Sequence, residues 1–368
     1  MDQLEQARLV IDEIDAQIAA LFEKRMHAVG GIAAYKREQG IPIYDEAREK
    51  TLIARNLERI QDPSLRNDYL AFLEQMLGIS RAYQHRLLEG IRVAYSGLPG
   101  AFAEIAVRRI FPGCRQVGYD GFRNAYDAVV RGECDCAVLP VENSFAGEVG
   151  QVMDLMFQGS LCVSGVYALP VTQNLLGLPG ASLSGIRTVI SHSQALDQCG
   201  SYLEEHGWEI RSEINTAIAA QKVAEAGDPS LAAIASAETA ALYGLHILEK
   251  DISTSGVNTT KFAVFSRTGA EEGIRDGRKF ILMFTVNDVA GALADAINVI
   301  SSHGFNMKAL RSRPVQDRPW QYYFYVEAEG DERSEAGQRM LAALGEKCDT
   351  LKIVGHYTAQ ISIEEALK

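Results

Sequence analysis

Apolar residues recur along the start of the chain at Leu4, Ile11, Ile14, Ile18 and Leu21. That three-four alternation predicts a helix packed in a bundle with its inner face on this stripe. Arg8, Arg25 and Lys36 each follow an apolar residue (Leu4, Leu21 and Ile32) by four positions, so they fall on or beside the same face as partly buried cations. A further helix carries the stripe Leu70, Leu73, Leu77, which Ser80 and Gln84 continue at helical spacing before Leu88 resumes it. Between the two, Asp45 reads as a helix N-cap with Arg48 at the third helical position.

Three helices thus occupy the first ninety or so residues, with polar groups where hydrocarbon is expected. A buried charge without a partner is costly, so inward-facing cations imply an anion that comes and goes, or a carboxylate that stays. The structural alternative is long side chains reaching solvent and a polar layer that fixes register. Arg8 and Arg25 lie seventeen positions apart, roughly 25 Å along a straight helix at about 1.5 Å per residue. One small ligand cannot touch both. If both serve the same kind of ligand, a second copy of the helix must deliver Arg8, which predicts an intertwined homodimer with shared sites.

After Gly90 the pattern changes to strands alternating with shorter helices, from "IRVAYSG" through "CDCAVLPVEN" and "LCVSGVYALPV" to "TTKFAVFSR" near residue 267. This α/β rhythm fits either one large sheet or two α/β lobes with a cleft. In both, ligand groups gather where strands end and helices begin. Small polar residues collect there: Glu142, Asn143 and Ser144; Ser191 to Ser193; Asn215 and Thr216; Thr259 and Thr260. Each alone is explained as a helix cap, whereas their recurrence suggests donors ringing a cleft. Residues 268 to 279 read as a polar linker, and residues 280 to 358 give βαββαβ, a ferredoxin-like pattern with no catalytic constellation.

At 368 residues the chain suits two or three domains. Its net charge of -12 argues against nucleic acid or an anionic membrane surface as partner. With no long apolar run and an N-terminus that opens directly into a charged amphipathic helix, a cytoplasmic protein is expected. The cysteines (Cys114, Cys134, Cys136, Cys162, Cys199, Cys348) are scattered, which predicts reduced thiols and no metal. Cys134 and Cys136 are expected on one side of a buried strand.

The run "ARLVIDEIDAQIAALFEKRMHAVGGIAAYKREQGIPIYDEAREKTLIARN", with Ser80 and Gln84 downstream, resembles the all-helical chorismate mutase over about residues 1 to 90. The resemblance implies a unimolecular rearrangement of a dianion that needs neither nucleophile nor cofactor. By resemblance Arg8 from a second chain, Arg25 and Lys36 hold the carboxylates with Ser80 assisting, and Asp45, Arg48 and Glu49 hold the ring and its hydroxyl. Lys36 and Gln84 donate to the ether oxygen, where negative charge grows.

The motifs "PVENSFAGEVG", "SHSQALDQC", "AAIASAETAALYGL" and "NTTKF" resemble prephenate dehydratase over residues 91 to 268, a two-lobed fold similar to periplasmic binding proteins. The residues implied are Glu142, Asn143, Ser144, Ser191, Gln198, Thr260 and Lys261. Prephenate must lose a ring hydroxyl and a carboxylate, so a proton donor is the main need. Thr260 and Glu142 are the two candidates. Lys261 stands where the family has arginine, Ala101 and Ala103 replace hydroxyl residues, and Gln173 stands where histidine is common. The C-terminal module resembles an ACT domain, which implies phenylalanine binding through Gly291, Ala292, Leu293, Ser312, Arg313 and Pro314; Arg311 replaces the family's usual glutamate. Taken together the resemblances imply a bifunctional enzyme converting chorismate to prephenate and prephenate to phenylpyruvate, with phenylalanine feedback. The alternatives are a mutase fused to a non-catalytic amino-acid sensor, or an arogenate dehydratase in the middle domain.

Overall fold

A computed structural model describes residues 2–254, 258–269, 278–316, 318, 320–358 and 361–362. The chain divides into two compact units, the first formed by residues 1–92 with 113–115 and 132–135, the second by the remainder.

The first unit is built on three helices, α1 (Gln3–Gln39), α2 (Glu46–Leu57) and α3 (Arg66–Glu89). Helix α1 starts in a capping box between Asp2 and Glu5 and stops at Gly40, whose φ of +64° suits the left-handed end of a helix. Asp45 caps α2 by accepting from the Arg48 amide at 2.9 Å, as its spacing predicts. Val29 and Ala33 of α1 are buried, as are Leu73 and Leu77 of α3. The start of α1 behaves differently. Leu4, Ile11, Ile14, Ile18 and Leu21 are 47 to 64% exposed, so the inner face read from the sequence is uncovered within one chain. Arg8, expected to be partly buried, is exposed with it.

The second unit holds a large and a small sheet. Its elements in chain order are β1 (Arg92–Ser96), α4 (Phe102–Ile110), β2 (Arg115–Tyr119), α5 (Phe122–Val130), β3 (Cys136–Asn143), β4 (Gly147–Glu148), α6 (Gly150–Gln158) and β5 (Cys162–Pro170). The chain then leaves for the small sheet through β6 (Asn174–Gly177), β7 (Thr188–His192), α7 (Ser193–Gln198), α8 (Gly200–His206), β8 (Glu209–Glu213), α9 (Thr216–Ala226), β9 (Leu231–Ala235), α10 (Ala237–Tyr243) and β10 (His246–Glu249). It returns with β11 (Thr259–Ser266), which runs antiparallel between β3 and β5. Two lobes are thus joined by two crossings. The small sheet has the order β10-β6-β9-β7-β8, with apolar cores around Val189 and Ile234 and around Ile190 and Ala220. Cys136 opens β3 and Cys134 precedes it; both are buried.

The C-terminal elements are β12 (Arg278–Thr285), α11 (Ala292–Ser302), β13 (Asn306–Pro314), β14 (Tyr322–Glu329), α12 (Glu335–Gly345), β15 (Thr350–Thr358) and a short β16 (Ile361–Ser362). The order β13-β14-β12-β15 is the ferredoxin-like arrangement that the βαββαβ pattern predicts. Two features depart from the sequence reading. Arg278 and Lys279, read as linker, already belong to β12, while residues 270–277 of that linker lie outside the described residues. The module's sheet is also not separate, because β15 pairs with β5 at Gly355 and Val163. A Cβ on Gly355 would come 2.1 Å from the Val163 carbonyl oxygen, so only glycine lets the backbones approach.

Candidate functional sites

In the helical unit, the inward-facing polar residues of α1 and α3 meet. The Arg25 guanidinium donates to Ser80 Oγ, and Ser80 Oγ donates to the Met76 carbonyl at 2.6 Å. Lys36 Nζ donates to the Ile43 carbonyl at 2.5 Å. Ser80 and Gln84 are buried, and Arg25 and Lys36 are half-buried. Burial pushes the Arg25 guanidinium down from its ordinary pKa. Among the described residues neither Arg25 nor Lys36 forms an ion pair with a carboxylate. Gln84 donates to the Ser80 carbonyl at 3.3 Å, while its Oε1 is buried with no partner among the described residues. Two half-buried cations on one face with no carboxylate partner among the described residues are costly on their own and suited to an anionic ligand, while the buried Gln84 Oε1 is an acceptor that calls for a donor group.

Asp45 and Arg48 are exposed at the start of α2. Glu49 is instead held by Arg81, whose Nη1 lies 2.6 and 2.5 Å from its two oxygens and whose guanidinium covers the Tyr44 ring at 5.6 Å. Arg81 was absent from the sequence reading. It stands three positions before Gln84 on α3, and that spacing was the available signal.

The cleft of the α/β unit has a volume of about 230 Å³ and lies between the two lobes. Asn143 at the end of β3 and Thr260 at the start of β11 stand opposite each other in the ladder. Asn143 Nδ2 donates to Thr260 Oγ1 at 2.9 Å and to Asn258 Oδ1 at 2.8 Å. Asn258 Nδ2 in turn donates to Gln198 Oε1 at 2.8 Å, which also accepts from Gln173 Nε2 at 3.2 Å. Asn143 Oδ1 accepts from Gln194 Nε2 at 3.3 Å and from the Phe145 and Ala146 amides. Asn143, Thr260, Gln198, Gln173, His192 and Gln194 therefore form one polar wall, and Gln173 Oε1 is buried without a partner among the described residues. A hydroxyl has one hydrogen to give. With the Asn143 amide donating to it, the Thr260 oxygen keeps its own hydrogen for the cleft.

Among the described residues no lysine, arginine, aspartate or glutamate lines this cleft. Negative charge would instead meet the amide and hydroxyl donors and the N-terminal ends of α4 and α9, where Ala101, Phe102, Asn215 and Thr216 face the space.

Several predicted residues lie elsewhere. Glu142 and Lys261 are also paired across β3 and β11, but successive residues of a strand face opposite sides, so both turn away from the cleft. Lys261 Nζ meets Glu142 Oε2 at 2.8 Å, and Arg311 of β13 meets the other oxygen. Burial would push the Glu142 carboxyl up, but the hydrogen bonds and charges of Lys261 and Arg311 outweigh this and hold it below the usual carboxylate range. The carboxyl therefore lies behind the cleft wall and is held toward its charged form. Ser191 is fully buried and donates to the Ile234 carbonyl at 2.7 Å, so it braces β7 behind the wall. Ser144 is exposed and accepts from the Thr259 amide at 3.0 Å. Asn258 and Gln194 were missed, although Asn258 stands within the "NTTKF" motif.

In the C-terminal module, Gly291 caps α11 with φ +90°, and Ala292 and Leu293 begin that helix. Leu293 borders a hollow of about 210 Å³ with Asn287, Asp288, Tyr322 and Phe324. Ser312 and Pro314 are exposed on β13. Arg313 does not join them: it pairs with Glu148 at 2.9 Å and Asp154 at 3.3 Å, because the strand's alternation sends it with Arg311 toward the acidic side chains of β3, β4 and α6.

Among the described residues no group of histidine, cysteine, aspartate and glutamate could hold a metal, and no helix is long and apolar enough to cross a membrane.

The sequence pattern of the chorismate mutase type II family matches residues 7–85, and that of the prephenate dehydratase family matches residues 93–270. The bifunctional chorismate mutase/prephenate dehydratase of Escherichia coli (strain K12) is 30% identical over 365 residues, covering 95% of each chain. Among solved structures, a prephenate dehydratase from Arthrobacter aurescens in complex with L-Phe is 26% identical with a TM-score of 0.68, over 75% of this chain and 91% of its own. A protein described as a novel type of quorum quenching acylase is 32% identical with a TM-score of 0.68, over 73% of this chain and 98% of its own.

Proposed function

Because the chain belongs to the bifunctional chorismate mutase/prephenate dehydratase family, we propose that its two reactions run at the two polar clusters just described. The chain is an enzyme of phenylalanine biosynthesis, an isomerase that makes prephenate from chorismate and a lyase that makes phenylpyruvate from prephenate.

Arg25, Lys36 and Ser80 bind the carboxylates of chorismate, and Lys36 with the Gln84 amide stabilises the ether oxygen as its bond to carbon breaks. Asp45, Arg48 and Glu49 meet the ring and its hydroxyl. The uncovered stripe of α1 supports a homodimer in which a second copy covers Leu4, Ile11, Ile14 and Ile18 and brings Arg8 to the site.

In the cleft, Thr260 is the donor. As the carbon–carbon bond to the departing carboxylate breaks, its electron pair enters the ring. The ring C–O pair leaves with the hydroxyl, which takes the Thr260 proton to become water as the carboxylate departs as carbon dioxide, and solvent returns a proton to Thr260. The observation that supports this assignment is the 2.9 Å bond from Asn143 to Thr260 Oγ1, which commits the threonine oxygen as acceptor and leaves its hydrogen to the substrate. Gln198, Gln173 and Asn258 hold Asn143 in place. Phenylalanine feedback through the C-terminal ACT-like module, at the Leu293 hollow with Gly291, Ala292, Ser312 and Pro314 nearby in sequence or strand, is supported by the L-Phe complex of the Arthrobacter relative.

The test is to supply chorismate alone and follow chorismate, prephenate and phenylpyruvate by chromatography. Prephenate should rise and fall as phenylpyruvate accumulates. Prephenate that accumulates without phenylpyruvate would overturn the assignment of the cleft.

A further inference from the structure

Behind the dehydratase wall lies a cluster of charges that the proposed chemistry does not use. Thr260 and Lys261 are consecutive on β11, Asn143 and Glu142 are consecutive on β3, and the ladder pairs Thr260 with Asn143 and Lys261 with Glu142. The first pair faces the cleft and the second faces the C-terminal module. There Arg311 of β13 bonds Glu142 Oε1, its guanidinium lies 5.5 Å from the centre of the Tyr325 ring, and its Nε is 3.9 Å from Glu148. Lys261 occupies the other Glu142 oxygen at 2.8 Å. The register slips immediately after this pair, since Lys261 faces Glu142 but Phe262 faces Pro140. The bulge leaves Val141 of β3 without a ladder partner on β11, while β11 itself stays in continuous register with β5 from Thr259 to Val264. The ion triad closes the interval that the ladder leaves open.

We propose that Arg311 is a positioning residue of the dehydratase, holding Asn143 and Thr260 at their working separation from behind, through Glu142 and Lys261. Turnover in the cleft then depends on a side chain of the C-terminal module. This rests on the assignment of Thr260 and Asn143 to the reacting site. Other contacts seat the module without Arg311. Arg313 binds Glu148 and Asp154, the Tyr323 hydroxyl donates to Asp154 at 2.7 Å, and Tyr323 stacks on Phe157 at 4.4 Å. Lys352 also donates to the Met156 and Phe157 carbonyls at the end of α6. Loss of Arg311 alone should therefore leave the module docked while loosening the pair in front of it.

The experiment measures prephenate dehydration by the full chain carrying Arg311→Met, Arg311→Lys, Glu142→Gln, or Arg311→Met with Glu142→Gln. The expected result for Arg311→Met is a kcat lowered roughly ten- to a hundredfold, as for a small misplacement of a reacting group, with KM within about twofold. Mutase activity should be unchanged, and Arg311→Lys should recover part of the loss. The double variant should lose less than the product of the two single effects, because both act through one contact. A kcat within twofold of the parent in folded Arg311→Met would overturn the proposal. So would a loss shared equally by KM, mutase activity and thermal stability, which would mean a structural role only. Thr260→Val is measured beside them. If it keeps its activity, the reading of the cleft fails; if it is inactive while Arg311→Met keeps a kcat within twofold of the parent, the positioning role alone fails.

Discussion

Thr260→Val separates chemistry from folding, because valine matches threonine in shape and removes only the hydroxyl. The structural loss is small. Thr260 Oγ1 accepts from Asn143 at 2.9 Å, and the same amide keeps Asn258 Oδ1 at 2.8 Å as a second acceptor. One neutral hydrogen bond is thereby lost, a destabilisation of about 0.5–1.5 kcal/mol. Set against a typical stability of about 5–15 kcal/mol, that leaves the chain folded. The chemical loss is larger. Removing the proton donor should slow dehydration by about 10²- to 10⁴-fold, or roughly 3–5 kcal/mol of barrier at about 1.4 kcal/mol per tenfold. The assay supplies chorismate to the variant and quantifies prephenate and phenylpyruvate over time. Prephenate should accumulate at the parental rate while phenylpyruvate nearly vanishes. Phenylpyruvate formation within threefold of the parent would refute Thr260 as donor. Equal loss of both reactions would refute the independence of the two sites.

Gln84→Ala and Lys36→Ala should each abolish prephenate formation from chorismate and leave dehydration of added prephenate intact; retained mutase turnover in either would contradict the assigned helical site. Ile14→Asp places a charge in the uncovered stripe of α1 and should give a smaller particle by light scattering together with loss of mutase activity, whereas a fully active variant of unchanged size would end the shared-site dimer. Cys199 is fully buried, and that burial pushes its thiol up to about 12. Since this folded-state value exceeds the unfolded one of about 8.5, the neutral thiol's contribution to stability is complete below that lower value. It is then lost progressively as pH rises toward 12. Cys199→Ala should flatten the alkaline fall in melting temperature, and in the parent at pH 8 a thiol reagent should label Cys199 only after unfolding.

How much of this was legible in the chain depends on the range of the interaction. Asp45 as a cap, the burial of Ser80 and Gln84, the α/β alternation and the ferredoxin-like order all follow from period and local capping, which the sequence carries within a few residues. The strand period also contained an unused signal. Adjacent strand residues face opposite sides, so Glu142 and Asn143 could not both line the cleft, nor could Lys261 beside Thr260. Asn258 and Gln173 were harder to place, because their partners Asn143 and Gln198 are far away in sequence.

By itself, the sequence determined which elements form, which of their faces are apolar, and that cations and amides interrupt those faces, since these depend on spacing along one segment. The tertiary structure decided which polar residues share a site. It turned Thr260 inward and Lys261 outward, brought Arg311 to a carboxylate 169 positions away, and left the stripe around Ile14 uncovered. Those outcomes depend on register between distant strands and on what packs against each face, and neither is encoded in local periodicity.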